Sequence, residues 1–217
     1  SEVQMQESEP ELNLDLGTSY AEVLDFLRLN TTQESIQARE FLLSSPMIKV
    51  SEELAEYARP SFQLNRSLKA CVSELTSRIF NDFKYDPNFT TIATPLTDVL
   101  EHKRGVCQDF AHLQVGCLRA MGIPAKYVSG YIETLPLPGV EKLVGADATH
   151  AWIAYFSPEE GWLEFDPTNN TSANNQHIVT AMGRDYYDVT PVKGVIFGGG
   201  RNPVLTVSVD VARLAES

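Results

Sequence analysis

Gly105-Val106-Cys107-Gln108-Asp109-Phe110-Ala111-His112-Leu113, running on to Met121-Gly122-Ile123-Pro124, is the stretch that decides the fold of this 217-residue chain. Phe110, Leu113, Cys117, Leu118 and Met121 recur at spacings of three and four, which predicts an amphipathic helix from Cys107 to Met121. Gly122 and Pro124 end it, a glycine that can turn left-handed followed by a residue that cannot continue a helix. Gly105 predicts a turn just ahead, so Cys107 opens the helix. A thiol there meets unpaired backbone N–H groups and the positive end of the helix dipole, both of which favour thiolate.

Working outward, Ala151-Trp152-Ile153-Ala154-Tyr155-Phe156 and Gly161-Trp162-Leu163-Glu164-Phe165 read as strands joined by a turn at Ser157-Pro158-Glu159-Glu160. His150 precedes the first strand and Asp166 closes the second, so an antiparallel hairpin brings them to one end. Asp166 can then accept from the imidazole and fix its tautomer, while the imidazole pairs with the thiolate. Cys107, His150 and Asp166 are therefore the candidate nucleophile, general base and orienting carboxylate. The helix N–H groups can also hold the oxyanion of a tetrahedral intermediate.

The rest of the chain is read around this frame. Leu12, Leu14 and Leu16 alternate with polar residues as a short strand, and residues 17–50 read as a loop-rich stretch without strong periodicity. Ser51-Glu52-Glu53-Leu54 looks like a helix start, and Leu68, Val72, Leu75, Ile79 and Phe83 predict a helix over 66–83. A short helix is expected within Pro95–Lys103, and strands at Ala125–Glu133 and Val204–Val211. Gly198-Gly199-Gly200 is read as a turn. Helices first and strands afterwards indicate an α+β architecture, divided as an N-terminal segment over 1–50 and a catalytic domain over 51–217.

A net charge of −12 argues against nucleic-acid binding, which needs clustered Lys and Arg. No run of 18 apolar residues exists to span a membrane. The opening residues have neither the basic nor the apolar region of a signal peptide, so a cytoplasmic location is expected, with a removed leader as the alternative. The 3 cysteines make no disulfide framework; Cys71 and Cys117 fall on apolar helix faces as small core residues. The histidines lack the HExxH spacing and there is no CxxC pair, so neither metal nor cofactor is expected.

Several separated blocks resemble the bacterial transglutaminase-like superfamily: Gly105 to Leu113, Gly122-Ile123-Pro124-Ala125, Tyr127-Val128-Ser129-Gly130-Tyr131, Asp147-Ala148-Thr149-His150-Ala151-Trp152 and Phe165-Asp166-Pro167-Thr168-Asn169. Gly183-Arg184-Asp185-Tyr186, Pro191, Gly194-Val195 and the triple glycine are similar to its cysteine-protease branch. The resemblance covers residues 40–217. It implies a papain-like core, with the nucleophile's helix packed on an antiparallel sheet, and the roles given above for Cys107, His150 and Asp166. Members of that branch carry a longer N-terminal β-rich region, of which residues 1–50 are the expected remnant. The calcium-binding insertions of animal transglutaminases are absent, so calcium dependence is not implied. Animal relatives use an aromatic side chain ahead of the nucleophile as a second oxyanion donor, and Tyr85 lies in the comparable stretch.

Asp109 and His112 are candidate cleft-lining residues; N-terminal charge compensation for Asp109 and a buried, satisfied His112 are the alternatives. Trp152 either walls an acyl pocket or belongs to the strand core. The expected reaction is acyl transfer through a thioester on Cys107 with a peptide or protein substrate. Water as acceptor gives a peptidase or amidase, an amine gives a transglutaminase. A non-catalytic peptide-binding scaffold and an acyl-CoA-dependent transferase are the other readings.

Overall fold

The computed structural model describes residues 14, 16–91, 94–133, 148–190 and 211. Its centre is the expected helix, α6 (Cys107–Ala120), laid against an antiparallel sheet. Among the described residues, five α-helices precede it: α1 (Tyr20–Leu29), α2 (Gln33–Arg39), α3 (Glu52–Ala58), α4 (Leu68–Asp82) and α5 (Leu96–His102). Two short parallel strands, β1 (Lys84–Tyr85) and β2 (Arg104–Gly105), bracket α5 and pair Tyr85 with Gly105. After α6 come β3 (Ala125–Ile132), β4 (Ala148–Ser157), β5 (Gly161–Asp166), β6 (Thr171–Ser172) and β7 (His177–Gly183), and then the short α7 (Tyr186–Val189). The sheet order is β6-β5-β4-β3-β7. Every pairing in that five-stranded sheet is antiparallel. This is the mixed α+β architecture read from the sequence.

The apolar spacing of α6 explains its position. Phe110, Leu113, Cys117 and Leu118 are all buried, and they pack with Ala151, Ile153 and Tyr155 of β4 and Tyr127 of β3 in one core. Leu113 and Leu118 are fully enclosed, so truncating either to Ala costs about 2–5 kcal/mol. Alternation along β4 places Trp152 and Ala154 in a second, smaller cluster with Val128. Gly122, at φ +79°, carries the chain out of α6 as expected.

Residues 17–50 are not loop-rich. Ser19 and Glu22 cap α1 reciprocally. Tyr20, Val23 and Leu27, at i, i+3 and i+7, enter the main core. The Tyr20 hydroxyl donates to the Met121 carbonyl at 2.7 Å, fastening α1 to the end of α6. Buried Arg119 of α6 donates to the carbonyls of Leu43, Ala125 and Arg184, so the segment ahead of α3 is tied to the sheet. Burial lowers its pKa, but only to about 10, and the guanidinium keeps its charge. The expected strand at 12–16 is not formed where it is described: Leu14 lies in a turn and Leu16 in a bend. The strand expected at 204–211 and the glycine turn at 198–200 lie outside the described residues, apart from Val211, which is in no regular element. Among the described residues, no helix is long and apolar enough to cross a membrane.

Candidate active site

Cys107 is the first residue of α6 and is half-buried. Asp109 folds back over the helix start, its Oδ2 accepting from the Val106 N–H at 2.8 Å and from the Thr90 hydroxyl at 2.7 Å. That fold-back gives Gly105 a different role from the turn expected of it. Gly105 sits in β2, and a Cβ there would stand 2.8 Å from the Asp109 side chain. Asp109 is therefore buried, and its pKa is raised by that burial against the two hydrogen bonds.

On the sheet, the register Ile153 with Phe165 carries His150 and Asp166 toward the same end of the hairpin. His150 Nε2 lies 2.7 Å from Asp166 Oδ2. That bond leaves Nδ1 as the nitrogen available to the thiol. Burial lowers the His150 pKa, but hydrogen bonds and charge interactions with Asp166 and Cys107 outweigh it and raise it to about 9. The structure thus brings Cys107, His150 and Asp166 together, from a helix start, one strand and the end of the next.

Asp166 is 0% exposed and surrounded by donors. Oδ1 accepts from the backbone N–H groups of Thr168 at 2.8 Å and Asn169 at 3.2 Å. Oδ2 accepts from the Asn169 carboxamide at 2.6 Å and from His150 and His177 Nε2 at 2.7 and 3.1 Å. Burial by itself would raise the carboxyl pKa; hydrogen bonds from the two imidazoles and Asn169 hold it well below the usual carboxylate range. Asn169 and His177 are contributions the sequence reading did not anticipate. The Asp-Pro-Thr-Asn turn carried a signal for Asn169, since a carboxylate at a strand end accepts from the N–H groups just beyond it. His177 carried none, because β7 follows no clear alternation of buried and exposed residues.

His150, Asp166 and His177 offer ligand atoms that all lie within 4.8 Å of one another, the spacing a metal ion would need. The donor set fits poorly. Asp166 is an ionised carboxylate that can only accept, so His150 and His177 turn Nε2–H toward it, and those are the nitrogens a metal ion would need bare. The three groups are already joined by hydrogen bonds.

The remaining candidates divide. Tyr85 is 53% exposed, paired with Gly105 and edge-on to Phe110, with ring centroids 6.4 Å apart. Partial burial, then the charges of Cys107 and Asp109, raise its pKa, so it stands near the thiol as a neutral phenol. His112 is the buried, satisfied residue of the two alternatives. Its Nε2 accepts from the Tyr186 N–H at 3.1 Å, its ring lies 4.8 Å from that of Tyr127, and burial pushes its pKa down to about 4. Asp109 and His112 also border a cavity of about 480 Å³ shared with Met47, Leu54, Leu96 and Leu100. Trp152 is 0% exposed and belongs to the strand core, not to an open pocket wall. It stacks on His150 at 5.9 Å, meets His177 edge-on at 5.2 Å, and donates to Glu164.

Comparisons with known proteins bear on the family and the fold. The chain is 45% identical over 178 residues to an uncharacterised protein of Mycobacterium tuberculosis, covering 80% of this chain and 57% of that protein. It is 33% identical over 111 residues to a protein-glutamine gamma-glutamyltransferase of Pseudomonas aeruginosa, covering 48% of this chain but 17% of that enzyme. The chain therefore spans little more than half of the first relative and a small part of the second. Among solved structures, a candidate cysteine protease of Cytophaga hutchinsonii superposes with a TM-score of 0.62 at 26% identity, over 75% of this chain and 51% of that one. Residues 56–167, from α3 to the aspartate that grips His150, match the Transglutaminase-like superfamily, and the chain belongs to that family.

Proposed function

We propose that the chain catalyses thiol-dependent acyl transfer, with hydrolysis of a peptide or isopeptide-type amide as its reaction. The observation that carries this reading is the 2.7 Å contact between His150 and Asp166, with His150 also hydrogen-bonded to Cys107. An imidazole so held is protonated at neutral pH and stabilises a thiolate beside it as an ion pair. Cys107 Sγ attacks the amide carbonyl to form a tetrahedral oxyanion. The N–H groups opening α6 and the Tyr85 hydroxyl are its candidate donors. As that intermediate collapses, His150 gives its proton to the departing amine and the acyl group remains as a thioester on Cys107. Water then attacks the thioester while His150 takes its proton. The acid leaves, and Cys107 and His150 return to the ion pair. Asp166 keeps its charge throughout and fixes the tautomer and direction of His150.

The likeness to the Pseudomonas gamma-glutamyltransferase favours a second reading, in which a primary amine replaces water in the last step and the product is a new amide.

The test begins with the pH dependence of Cys107 alkylation by iodoacetamide, followed by mass spectrometry, in the wild type and in His150→Ala. Rapid labelling below pH 7 that the substitution abolishes supports the reading. Labelling that rises only near the ordinary thiol pKa of about 8.5 and ignores His150 removes it. Incubation with a glutamine-containing peptide, with and without a primary amine, then separates hydrolysis from aminolysis by product mass.

A further inference from the structure

The site holds a second imidazole that the three-residue scheme leaves out. We infer that His177 is a positioning residue of the reaction, acting through a hydrogen bond from its Nε2–H to Asp166 Oδ2, the oxygen that holds His150. This deepens the proposed acyl transfer and rests on it.

Three observations carry the assignment. The first is tautomeric. His177 Nδ1 lies 3.2 Å from the Asn174 N–H, a donor, and 3.3 Å from Asn174 Oδ1, an acceptor, so the proton on the other nitrogen is assigned from Asp166, an ionised carboxylate that can only accept. Nε2 therefore bears the proton and donates across the 3.1 Å contact to Asp166. The second is enclosure. His177 is buried, its ring lies edge-on to Trp152 at 5.2 Å and tilted to His150 at 6.2 Å. An imidazole in this place closes the Asp166 carboxylate from water and cannot swing away.

The third is the backbone that delivers it. His177 opens β7 opposite Ile132, and β7 approaches β3 closely beside Gly130, the partner of His150 across the sheet. A Cβ on Gly130 would stand 2.1 Å from the Ile178 carbonyl oxygen and 2.5 Å from the Trp152 ring. Only glycine admits the strand that carries His177 and the indole that supports both imidazoles. The titratable groups facing His177 are Asp166 from β5 and His150 from β4; on the β3 side the nearest acid in sequence is Glu133, just past the Ile132 pairing.

The bond has a direct consequence. An N–H donor on Oδ2 stabilises the charged carboxylate and resists transfer of the His150 proton onto it. Removing that donor raises the proton affinity of Asp166. The imidazolium then loses its counter-ion at a higher pH, and the Cys107–His150 pair collapses earlier as the medium is acidified.

The experiment compares wild type, His177→Phe and His177→Gln by the pH profile of Cys107 alkylation with iodoacetamide. Phenylalanine keeps the ring and loses the donor. Glutamine places an N–H near the position of Nε2. The acid limb is expected to move up by about one to two pH units in the Phe variant and to return toward wild type in the Gln variant. A Phe profile that matches wild type overturns the inference, as does an equal shift in both variants, which would make His177 a packing residue only. Nitrogen NMR of the wild-type imidazoles tests the bond without any substitution: His177 must show a protonated Nε2, and a bare Nε2 refutes it. Failure of the acyl-transfer reading looks different, since wild-type Cys107 would then lack rapid labelling altogether while the NMR arm still decides the His177 bond.

Discussion

Replacing Asp166 by Asn tests the electrostatics of the site with a change of one atom. The carboxylate accepts two backbone N–H groups on Oδ1 and three side-chain donors on Oδ2. A carboxamide has one oxygen and one NH2, so one set of donors must face another donor. The less costly rotamer keeps the oxygen toward His150, His177 and Asn169 and turns the NH2 toward the N–H groups of Thr168 and Asn169. Two buried hydrogen bonds to a charged acceptor are then lost, at about 1.5–3 kcal/mol each, a total on the order of 3–6 kcal/mol. Set against a typical stability of about 5–15 kcal/mol, this is a large fraction. Urea unfolding at pH 7 reads the loss, with Trp152, stacked on His150, as the fluorescent reporter. The same variant removes the charge that overcomes the burial of His150, so the imidazole pKa should fall from about 9 to below its ordinary 6.5 and Cys107 labelling at pH 7 should drop with it. A stability loss smaller than about 1 kcal/mol together with an unmoved His150 titration would refute the five-donor account.

Other expectations follow from the same contacts. Cys107→Ala should leave urea unfolding close to wild type, because the thiol is half-buried, while abolishing turnover and covalent acyl capture; retained turnover sinks the nucleophile. Gly130→Ala drives a Cβ to 2.1 Å from the Ile178 carbonyl and should lower stability by about 1–3 kcal/mol, the usual cost of overpacking, read by thermal melting. Because the His150 pKa is raised to about 9, its stabilising share is complete below the ordinary 6.5 and disappears as the pH rises through 9. The melting temperature should therefore fall between pH 7 and 10, and His150→Gln should flatten that slope; an identical slope in both proteins contradicts the ion-pair picture. Tyr85→Phe should slow turnover with little change in KM if the phenol serves the oxyanion, and an unchanged kcat removes it from the mechanism.

Legibility in the sequence depended on the range of the signal. The apolar spacing of Leu68, Val72, Leu75 and Ile79 is written within a few residues, and α4 forms over the stretch that carries it. The pattern of α1 was equally local: Ser19 and Glu22 as reciprocal caps, with Tyr20, Val23 and Leu27 on one face. The polar residues around it mask that signal. The two cleft candidates show the opposite case. Asp109 and His112 lie within the first turns of α6 whatever surrounds them, but their environments come from Thr90 and Tyr186, distant in the chain.

What the sequence determined by itself was the helix that begins at Cys107 and the hairpin that sets His150 near Asp166, because helix period, strand alternation and a short turn are properties of neighbouring residues. Only the tertiary structure decided how the carboxylate is held. His177 reaches Asp166 because β7 pairs with β3 across a long connection, and that pairing depends on Gly130 leaving room for a carbonyl and an indole. Close approach of distant segments is a matter of volume and of hydrogen-bond partners, and neither quantity is written in the spacing of residues along the chain.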